Sequence, residues 1–343
     1  MAEGDYDNPT FDLLSAFKSR FGLSADAAAD GPPTTGVLAS AERVYDNSID
    51  VSISMAGTRI AADRIWTAMQ AAPSAYSAAS PNAAWAVHEL HPTVREFGVR
   101  GCVDFVFTMD LLNFCFWSDE EVEQGRFAVE YRGQRWTGYW SMVAGLRRAL
   151  DEGVPITSSD FWQSEEECTL DCLKGVFRSA VDGQEMPLLK ERLEVLREAG
   201  RVLYENFSCN PVNIITRSDG SAARLVNLLV EHFPSFRDTT TYDEERVKLL
   251  KRAQILVADL WACFDGGIPP ADLDTLTIED EDIISAFDFD DMHELTAFPD
   301  YRIPQMLHNL GVLSYSPPLD SAIRRKARDH QAAPKSRRQR HHD

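Results

Sequence analysis

Four short segments of this chain carry reactive and aromatic side chains at a density that core packing alone does not demand. They are 113–117 (Asn-Phe-Cys-Phe-Trp), 233–238 (Phe-Pro-Ser-Phe-Arg-Asp), 251–254 (Lys-Arg-Ala-Gln) and 300–305 (Asp-Tyr-Arg-Ile-Pro-Gln). Aromatic faces stack on heterocycles, cations hold phosphates, and carboxylates stabilise developing positive charge. These residue types suit a site for a small anionic molecule with a heterocycle, although no segment is decisive alone.

The segment 113–117 combines aromatic rings with a side-chain amide. The rings of Phe114 and Trp117 could stack on a heterocycle while the amide of Asn113 hydrogen-bonds to its edge. The preceding residues are strongly apolar, so ordinary hydrophobic core is the competing interpretation of this segment.

The segment 233–238 lies in the connection between two predicted helices. Pro234 ends the first helix and disfavours helical geometry at the residue before it. Phe236, Arg237 and Asp238 then present a ring, a guanidinium and a carboxylate at consecutive positions. The competing interpretation is that Asp238 caps a helix or completes an ion pair.

The other two segments supply cations. Lys251 is followed directly by Arg252, and two adjacent cations in an acidic protein could hold a phosphate, although a solvated helix face is the alternative. Arg302 follows Asp300 by two residues, in a loop that leads into a helix through Pro304. This arrangement fits a recognition loop, and it equally fits a structural ion pair between two helices.

Charge and composition limit the classes of partner. The formal net charge is −20 at pH 7, and phosphates repel such a surface, so we expect a small substrate rather than an extended nucleic-acid groove. No stretch approaches the roughly 20 apolar residues of a membrane span, and no secretory signal is visible. We therefore expect a cytoplasmic protein with no membrane partner. Six cysteines in 343 residues do not make a disulfide scaffold.

Helical periodicity dominates the residues that must position these segments. The clearest helix begins at Pro187, and a second follows Ser221 as its N-cap. A third helix is predicted over 243–264, and 126–137 alternates as a short hairpin does. Periodicity leaves the apolar run 101–117 open as strand or buried helix. The sequence thus predicts a mainly α fold, a helical bundle with a small β-hairpin.

Composition divides the chain into three parts. Residues 1–44 are rich in small and polar residues and are predicted to be a mostly disordered extension with one short helix. The main domain is predicted over 45–320, with an acidic insertion at 265–294 that contains eleven acids and no Lys or Arg and should be solvated and mobile. Residues 321–343 form a basic tail, predicted to be disordered, which could serve as a nuclear-import signal, an RNA contact or a solubilising tail.

Taken in order along the chain, these segments resemble the queuosine salvage family, the queuosine 5′-phosphate N-glycosylases. The resemblance covers roughly residues 45–319 and implies a mainly helical fold, distantly like helix-hairpin-helix DNA glycosylases, that needs no metal or redox cofactor. Further segments that carry it are 88–92 (His-Glu-Leu-His-Pro), 138–141 (Gly-Tyr-Trp-Ser), 148–157 (Arg-Ala-Leu-Asp-Glu-Gly-Val-Pro-Ile-Thr), 186–188 (Met-Pro-Leu) and 311–316 (Gly-Val-Leu-Ser-Tyr-Ser).

The resemblance also implies a reaction and the residues for it. The family releases queuine from queuosine 5′-phosphate by hydrolysis, and Asp238 matches its catalytic aspartate. His88 matches a histidine on the other side of the pocket. Lys251 and Arg302 are the candidates to bind the 5′-phosphate. Asp300 is a candidate to orient Arg302 or to accept a hydrogen bond from the amine of the base. The residues implied to contact the base are Asn113, Phe114, Trp117, Ser235, Phe236 and Arg237.

Two other functions compete with this one. In the family pattern the chain continues after 311–316 into a helical segment whose acidic and aromatic residues help to grip the base, whereas here Pro317, Pro318 and Leu319 lead into the basic tail. One alternative is therefore a catalytically impaired relative that only binds the deazaguanine nucleotide. The other is a glycosylase of polymeric DNA or RNA, against which the acidic body argues, so no stable nucleic-acid complex is expected.

Overall fold

The computed structural model describes residues 33–72, 88–117, 125–264 and 276–332, with side chains up to residue 325. Its helices are α1 (Val37–Asn47), α2 (Met55–Ala71), α3 (Val94–Leu111), α4 (Tyr139–Asp151), α5 (Ser159–Gln163), α6 (Leu170–Val176), α7 (Leu189–Phe207), α8 (Val212–Thr216), α9 (Ala222–His232), α10 (Lys251–Phe264), α11 (Ile278–Ser285), α12 (Arg302–Asn309) and α13 (Pro317–Ala332). Its strands are β1 (Val51–Ile53), β2 (Ala128–Tyr131), β3 (Gln134–Thr137), β4 (Thr239–Tyr242), β5 (Glu245–Lys248) and β6 (Leu313–Tyr315).

The mainly α prediction is confirmed. In the described ranges the strands pair only as two-stranded antiparallel sheets, β1 with β6, β2 with β3 and β4 with β5. Within the same ranges, none of the helices combines the length and the apolarity that crossing a bilayer requires.

The chain folds as two compact units, each built from several stretches of sequence. The first unit contains the described residues of 1–35, 93–237 and 252–295, and the second contains those of 36–92, 238–251 and 296–343. Two of the boundaries between the units fall between residues 237 and 238 and between 251 and 252. Two of the predicted site segments are therefore divided between the units.

Helix α3 lies at the centre of the core of the first unit. Its C-terminal half is almost entirely buried, from Cys102 to Leu111. Burying a Leu, Val or Phe side chain stabilises the fold by about 1.5–3 kcal/mol. The helix is interrupted at Gly98, whose φ of 68° suits glycine and few other residues. Because α3 ends in the core, the segment 113–117 directly follows a rigid part of the chain.

An aromatic cluster attaches the segment after α9 to the same core. The ring of Phe107 on α3 lies 5.5 Å from that of Phe233, 6.4 Å from that of Phe236 and 6.5 Å from that of Trp162. Phe233, Phe236 and Trp162 have no exposed surface. The main chain around Pro234 is consequently anchored on both sides by buried rings.

Main-chain contacts organise the second unit. Strand β1 pairs antiparallel with β6, with Val51 opposite Tyr315. The Oγ of Ser54 accepts a hydrogen bond from the N–H of Gly57 at 3.0 Å and so caps α2. A Cβ added to Gly57 would lie 1.9 Å from the carbonyl oxygen of Gly311, so only glycine permits this approach.

Most of the predicted elements are confirmed. Helix α7 begins two residues after Pro187, and Ser221 accepts a hydrogen bond from the N–H of Arg224 as the N-cap of α9. The predicted hairpin is β2–β3, which turns at Gly133 with a φ of 74°. The undecided apolar run 101–117 is helical up to Leu111.

The predicted helix over 243–264 is wrong in its first third. Residues 239–248 form the β4–β5 hairpin, and the helix begins only at Lys251. The turn of the hairpin places Asp243 and Glu244 at positive φ. Three consecutive threonines precede this turn, and β-branched residues favour strands over helices. The helix is thus shorter at its N-terminal end than the sequence predicts.

Part of the acidic segment 265–294 is folded, whereas the sequence predicts a mobile insertion. Residues 276–294 contain α11 and a short 3₁₀ helix, and the ring of Phe287 stacks on that of Phe264 at 4.5 Å. Ile283, Phe287 and Phe289 are buried, whereas Ile278 and most of the acids are accessible to solvent. Residues 265–275 lie outside the described residues.

Helices also occupy part of both termini that the sequence predicts to be disordered. Helix α1 begins within the extension 1–44 and ends at Asn47, and α13 continues into the basic tail 321–343. In α13 an ion pair of 2.7 Å between Asp320 and Arg324 joins successive turns. Residues 1–32 and 333–343 lie outside the described residues.

Candidate active site

Residues 112–117, which follow α3, form a turn that we call the aromatic turn. The N–H of Asn113 donates to the carbonyl of Asp110 at 3.3 Å, and the N–H of Phe114 donates to that of Leu112 at 2.8 Å. Cys115 has a φ of 51°, which is unfavourable for a residue other than glycine. Trp117 is 62% exposed. Such a turn needs contacts from other elements to keep its shape.

Two guanidinium groups supply those contacts. Arg192 on α7 is fully buried and donates to the carbonyls of Leu112, Phe114 and Cys115. Arg252 on α10 donates to the last carbonyl of α3 at 2.9 Å. Their guanidinium carbons lie 4.4 and 4.9 Å from the centre of the Phe114 ring. Burial lowers the pKa of Arg192 to about 10, so its cation persists at neutral pH beside the negative end of the α3 dipole.

Residues 233–237, which we call the serine loop, are held from two sides. The N–H of Ser235 donates to Oε1 of Glu198 at 3.0 Å, and its carbonyl accepts from the guanidinium of Arg252. Phe236 is buried in the aromatic cluster of the core. Both residues therefore have structural partners within the first unit.

Arg237 turns back onto the preceding helix. Its Nε donates to the carbonyl of Val230 at 2.9 Å and its Nη2 to that of Glu231 at 2.6 Å. The last carbonyls of a helix have no partner within it. The guanidinium of Arg237 therefore caps the C-terminal end of α9.

A buried polar cluster adjoins the aromatic turn. Asp110 is fully buried, and its Oδ1 accepts from Nδ2 of Asn113 at 3.1 Å, while its Oδ2 accepts from none of the described residues. Burial, and next the neighbouring carboxyl group of Asp259, raise the pKa of Asp110 well above its usual value. Burial and the same two carboxyl groups also raise the pKa of Tyr139. Two adjacent carboxyl groups resist double ionisation, so this pair holds on to a proton.

In the second unit Asp238 is fixed by main-chain groups. Its own carbonyl accepts from the N–H groups of Leu249 and Leu250, both at 3.0 Å, and its Oδ2 accepts from the N–H of Lys251 at 3.3 Å. Its Oδ1 accepts no hydrogen bond within the described part of the chain, and the residue is only partly buried. One oxygen of a well-positioned carboxylate is thus not used by these contacts.

Lys251, Asp300 and Arg302 lie together in the second unit. The Nζ of Lys251 is 3.5 Å from Oδ2 of Asp300, and Oδ1 of Asp300 accepts from the N–H groups of Arg302 and Ile303 at 2.8 and 3.2 Å. Burial alone would raise the pKa of Asp300, but these hydrogen bonds and the lysine lower it. Arg302 is exposed, and its guanidinium carbon lies 5.7 Å from the centre of the Tyr301 ring.

His88 also belongs to the second unit. Its Nδ1 accepts from the N–H of Leu90 at 3.2 Å, and its ring centre is 5.5 Å from that of His91. Burial lowers the pKa of His88, although Glu89 acts in the opposite direction. At neutral pH the ring is therefore an uncharged imidazole whose Nε2 carries the proton.

A cavity of about 460 Å³ in the first unit involves different residues. Its cations and acids are largely paired with each other, as in the contacts of Arg178 with Glu152 and of Arg132 with Asp151. None of the predicted site residues lines it. Its position gives no support to a role in the predicted chemistry.

The structure brings the predicted residues together as two groups and adds residues that the sequence did not indicate. Arg252 joins the segments of Phe114 and Ser235 in the first unit, and the second unit groups Asp238 with the Lys251–Asp300 ion pair. The residues missed are Arg192, Glu198, Asp110, Asp259 and Tyr139. Two of these residues could have been suspected from the sequence. Arg192 lies on the apolar face of α7 and Asp110 lies inside the apolar run of α3, and a charged residue in such a place needs a buried partner.

Comparisons with known proteins agree with this chain over most of its length. The family described as queuosine salvage protein matches residues 90–335. A Schizosaccharomyces pombe protein named queuosine 5′-phosphate N-glycosylase/hydrolase is 38% identical over 285 residues, which cover 82% of this chain and 75% of that protein. Proteins of the same name from Bos taurus and Sphaerobacter thermophilus are 38% and 37% identical, covering 81% and 87% of this chain and 72% and 79% of their own lengths. The chain belongs to the queuosine salvage protein family.

Proposed function

We propose that this chain is an N-glycosyl hydrolase that cleaves queuosine 5′-phosphate and releases queuine. The observation that carries the proposal is family membership, since the relatives named for this reaction match more than four fifths of the chain. In the reaction the C1′–N bond breaks, the hydroxyl group of water joins C1′, and its proton goes to the base. The expected partner is thus a small molecule rather than a polymer, which agrees with the net charge of −20.

The reaction calls for a carboxylate beside the sugar, because positive charge builds up on the ribose as the bond loosens. A 7-deazapurine has carbon where guanine has N7, so protonation at that position cannot assist departure of the base. Asp238 supplies the carboxylate. It can stabilise the cation electrostatically, form a transient covalent bond, or activate water.

The contacts of Asp238 support this role. The N–H of Lys251 orients Oδ2, and Oδ1 receives no hydrogen bond from the described residues. Orienting a reactive group in advance removes part of the entropic barrier of the reaction. A carboxylate held by a main-chain amide also keeps its position without a neutralising cation.

For the 5′-phosphate we favour Arg302 over Lys251. The ammonium of Lys251 already has Asp300 as its ion-pair partner at 3.5 Å. Arg302 is exposed, no ion pair links it to the described residues, and its main-chain N–H is held by Asp300. A guanidinium binds phosphate through two parallel hydrogen bonds, whereas an ammonium binds as a point charge.

For the base we favour Asn113 and Trp117 within the aromatic turn. Trp117 is 62% exposed, which leaves ring surface accessible for stacking. Two guanidinium groups lie near the Phe114 ring, and Phe236 is fully buried, so these two rings support the turn and the loop instead. His88, as an uncharged imidazole, can donate from Nε2 to the nucleotide.

The test is queuine release by the full chain from queuosine 5′-phosphate, with ribose 5-phosphate measured in the same sample. We expect equal amounts of the two products. A folded protein that binds the nucleotide without releasing queuine would establish the impaired alternative. Release of bases from duplex DNA or RNA instead would point to a glycosylase of polymers. Fluorescent fusions of the full chain and of a chain lacking residues 321–343 would test our proposal of a cytoplasmic protein with a nuclear-import signal in its tail.

A further inference from the structure

We infer that Arg252 is a positioning residue that holds the aromatic turn and the serine loop in one fixed arrangement. Its Nη1 donates to the carbonyl of Leu111 at 2.9 Å, and its Nη2 donates to the carbonyl of Ser235. The first carbonyl immediately precedes the aromatic turn, and the second lies in the middle of the serine loop. One side chain therefore joins two segments that are far apart in sequence.

The same guanidinium contacts a ring in each segment. Its carbon lies 4.9 Å from the centre of the Phe114 ring and 5.7 Å from that of Phe236. A cation near an aromatic face contributes about 0.5–2 kcal/mol, depending on how far the pair is removed from water. The planar fork of arginine can bond two carbonyls while it contacts rings, whereas the single ammonium of a lysine cannot reproduce that geometry.

Two other side chains hold one segment each. Arg192 donates to carbonyls of the aromatic turn, and Glu198 accepts from the N–H of Ser235 in the serine loop. Arg252 contacts both segments. Its removal should allow the two to move independently while each keeps its own anchor.

The consequence for catalysis rests on the proposed function. The aromatic turn carries Asn113 and Trp117, which we propose for the base, and Ser235 precedes Asp238 by three residues. A misplacement of about 1 Å costs up to about a hundredfold in rate. Loss of Arg252 should therefore lower kcat more than it raises KM, because binding in the ground state tolerates small displacements better than bond cleavage does.

The kinetic test compares Arg252→Ala and Arg252→Lys with a matched control, Arg147→Lys. Arg147 is an arginine of the first unit that is more deeply buried than Arg252, with its guanidinium carbon 4.9 Å from the Phe97 ring, but its hydrogen bonds go to Glu96. We expect Arg252→Ala to lower kcat about a hundredfold with less than about a fivefold rise in KM. Arg252→Lys should lose about tenfold, and Arg147→Lys should stay within about threefold of wild type below its unfolding temperature.

Chemical rescue distinguishes positioning from general stability. Guanidinium ion at about 20 mM, far below denaturing concentrations, should restore kcat of Arg252→Ala about tenfold by occupying the vacated position. It should leave the wild type and Arg147→Lys unchanged. If Arg252→Ala does not fold, the Lys variant provides the kinetic comparison, because it retains the positive charge.

Amide hydrogen exchange tests the inference without any activity. The amides of residues 112–114 and 235–237 are hydrogen-bonded in the wild type, and both sets should exchange faster in the Arg252 variants than in Arg147→Lys. Unchanged exchange in both segments, or a folded Arg252→Ala with kcat within about threefold of wild type, would overturn the inference. If the wild type released no queuine, the proposed function would fail while the exchange comparison still decided the role of Arg252.

Discussion

Around the aromatic turn of the first unit, two arginine side chains bind main-chain carbonyls, whereas at Asp238 and Asp300 of the second unit main-chain amides bind the carboxylates. In the first unit, Arg192 and Arg252 donate to the carbonyls that surround the aromatic turn. In the second unit, Asp238 accepts from the N–H of Lys251, and Asp300 accepts from the N–H of Arg302. Both arrangements satisfy polar groups, but they leave different atoms available for chemistry.

The difference indicates a division of roles. A buried guanidinium uses its donors on the protein itself, and deleting it leaves buried carbonyls unsatisfied at a cost of about 1–3 kcal/mol each. A carboxylate held through one oxygen by an amide still presents its other oxygen. We therefore propose structural support as the role of Arg192 and Arg252 and reaction chemistry as the role of the Asp238 carboxylate.

The largest effect that this comparison predicts is loss of activity in Asp238→Asn. The amide oxygen can still accept from the N–H of Lys251, so the fold should be retained while the negative charge disappears. We expect kcat/KM for queuosine 5′-phosphate to fall at least about a hundredfold, with an unchanged unfolding midpoint.

The matched control for that variant is Asp243→Asn in the turn of the β4–β5 hairpin. Asp243 has a φ of 51°, and asparagine tolerates this conformation as well as aspartate does. Activity within about threefold of wild type is expected for the control. Equal losses in the two variants would show that charge in the hairpin as a whole, rather than at position 238, supports the reaction.

The next largest effect should appear in the stability of the second unit when Gly57 is replaced by alanine. The added Cβ would lie 1.9 Å from the carbonyl oxygen of Gly311, so α2 must move away from that main chain. We expect a loss of about 2 kcal/mol in the free energy of unfolding, measured with urea. A Gly133→Ala variant separates this clash from backbone strain alone, since Gly133 has positive φ and open space around it. Equal stability of the Gly57 variant and the wild type would contradict the close approach.

A smaller effect is expected for Arg302→Ala, which tests the assignment of the phosphate. Because its guanidinium is exposed, removal should leave stability unchanged and raise KM for queuosine 5′-phosphate about tenfold. KM for queuosine without the phosphate should not change. As a control, Arg324→Ala removes a cation whose partner is Asp320 on the same helix and should change neither KM. A parallel rise in KM for both substrates would place Arg302 at another part of the nucleotide.

The smallest effect should be the pH dependence of stability in Asp110→Asn. The pKa of Asp110 is raised in the folded protein by burial and by Asp259, so the folded state keeps a proton that the unfolded chain loses above about pH 4. The carboxyl group of Asp110 therefore lowers the free energy of unfolding as the pH rises from about 4 through the pKa that this group has in the folded state.

Asparagine at position 110 removes that cost and can still accept from Asn113. Relative to wild type, the variant should gain more in unfolding free energy at pH 8 than at pH 4. Asp104→Asn should show a gain in the same direction, complete near pH 7, because burial raises the pKa of Asp104 to about 6. A difference between variant and wild type that is the same at both pH values would rule out this titration.

Much of the fold was predictable because its signals are local. Pro187, the N-cap Ser221 and the hairpin turn at Gly133 each act within a few residues. The contacts of Arg252 with Leu111 and Ser235 join distant parts of the chain, and no periodicity in the sequence reports such pairs.

The candidate site divides in the same way. The residue types in segments 233–238 and 300–305 suggested recognition and catalysis, and the cap of Asp300 on α12 is a local contact between neighbours in sequence. That Phe236 is buried and that Arg237 caps α9 could not be predicted, because both depend on how the serine loop packs on the core.

The catalytic role proposed for Asp238 is tested most directly by a crystal structure of Asp238→Asn with queuosine 5′-phosphate bound. The variant should hold intact substrate with the amide of residue 238 within about 3.5 Å of the ribose C1′, the separation expected before reaction. A nucleotide bound elsewhere, with residue 238 directed away from its sugar, would contradict a catalytic role for Asp238.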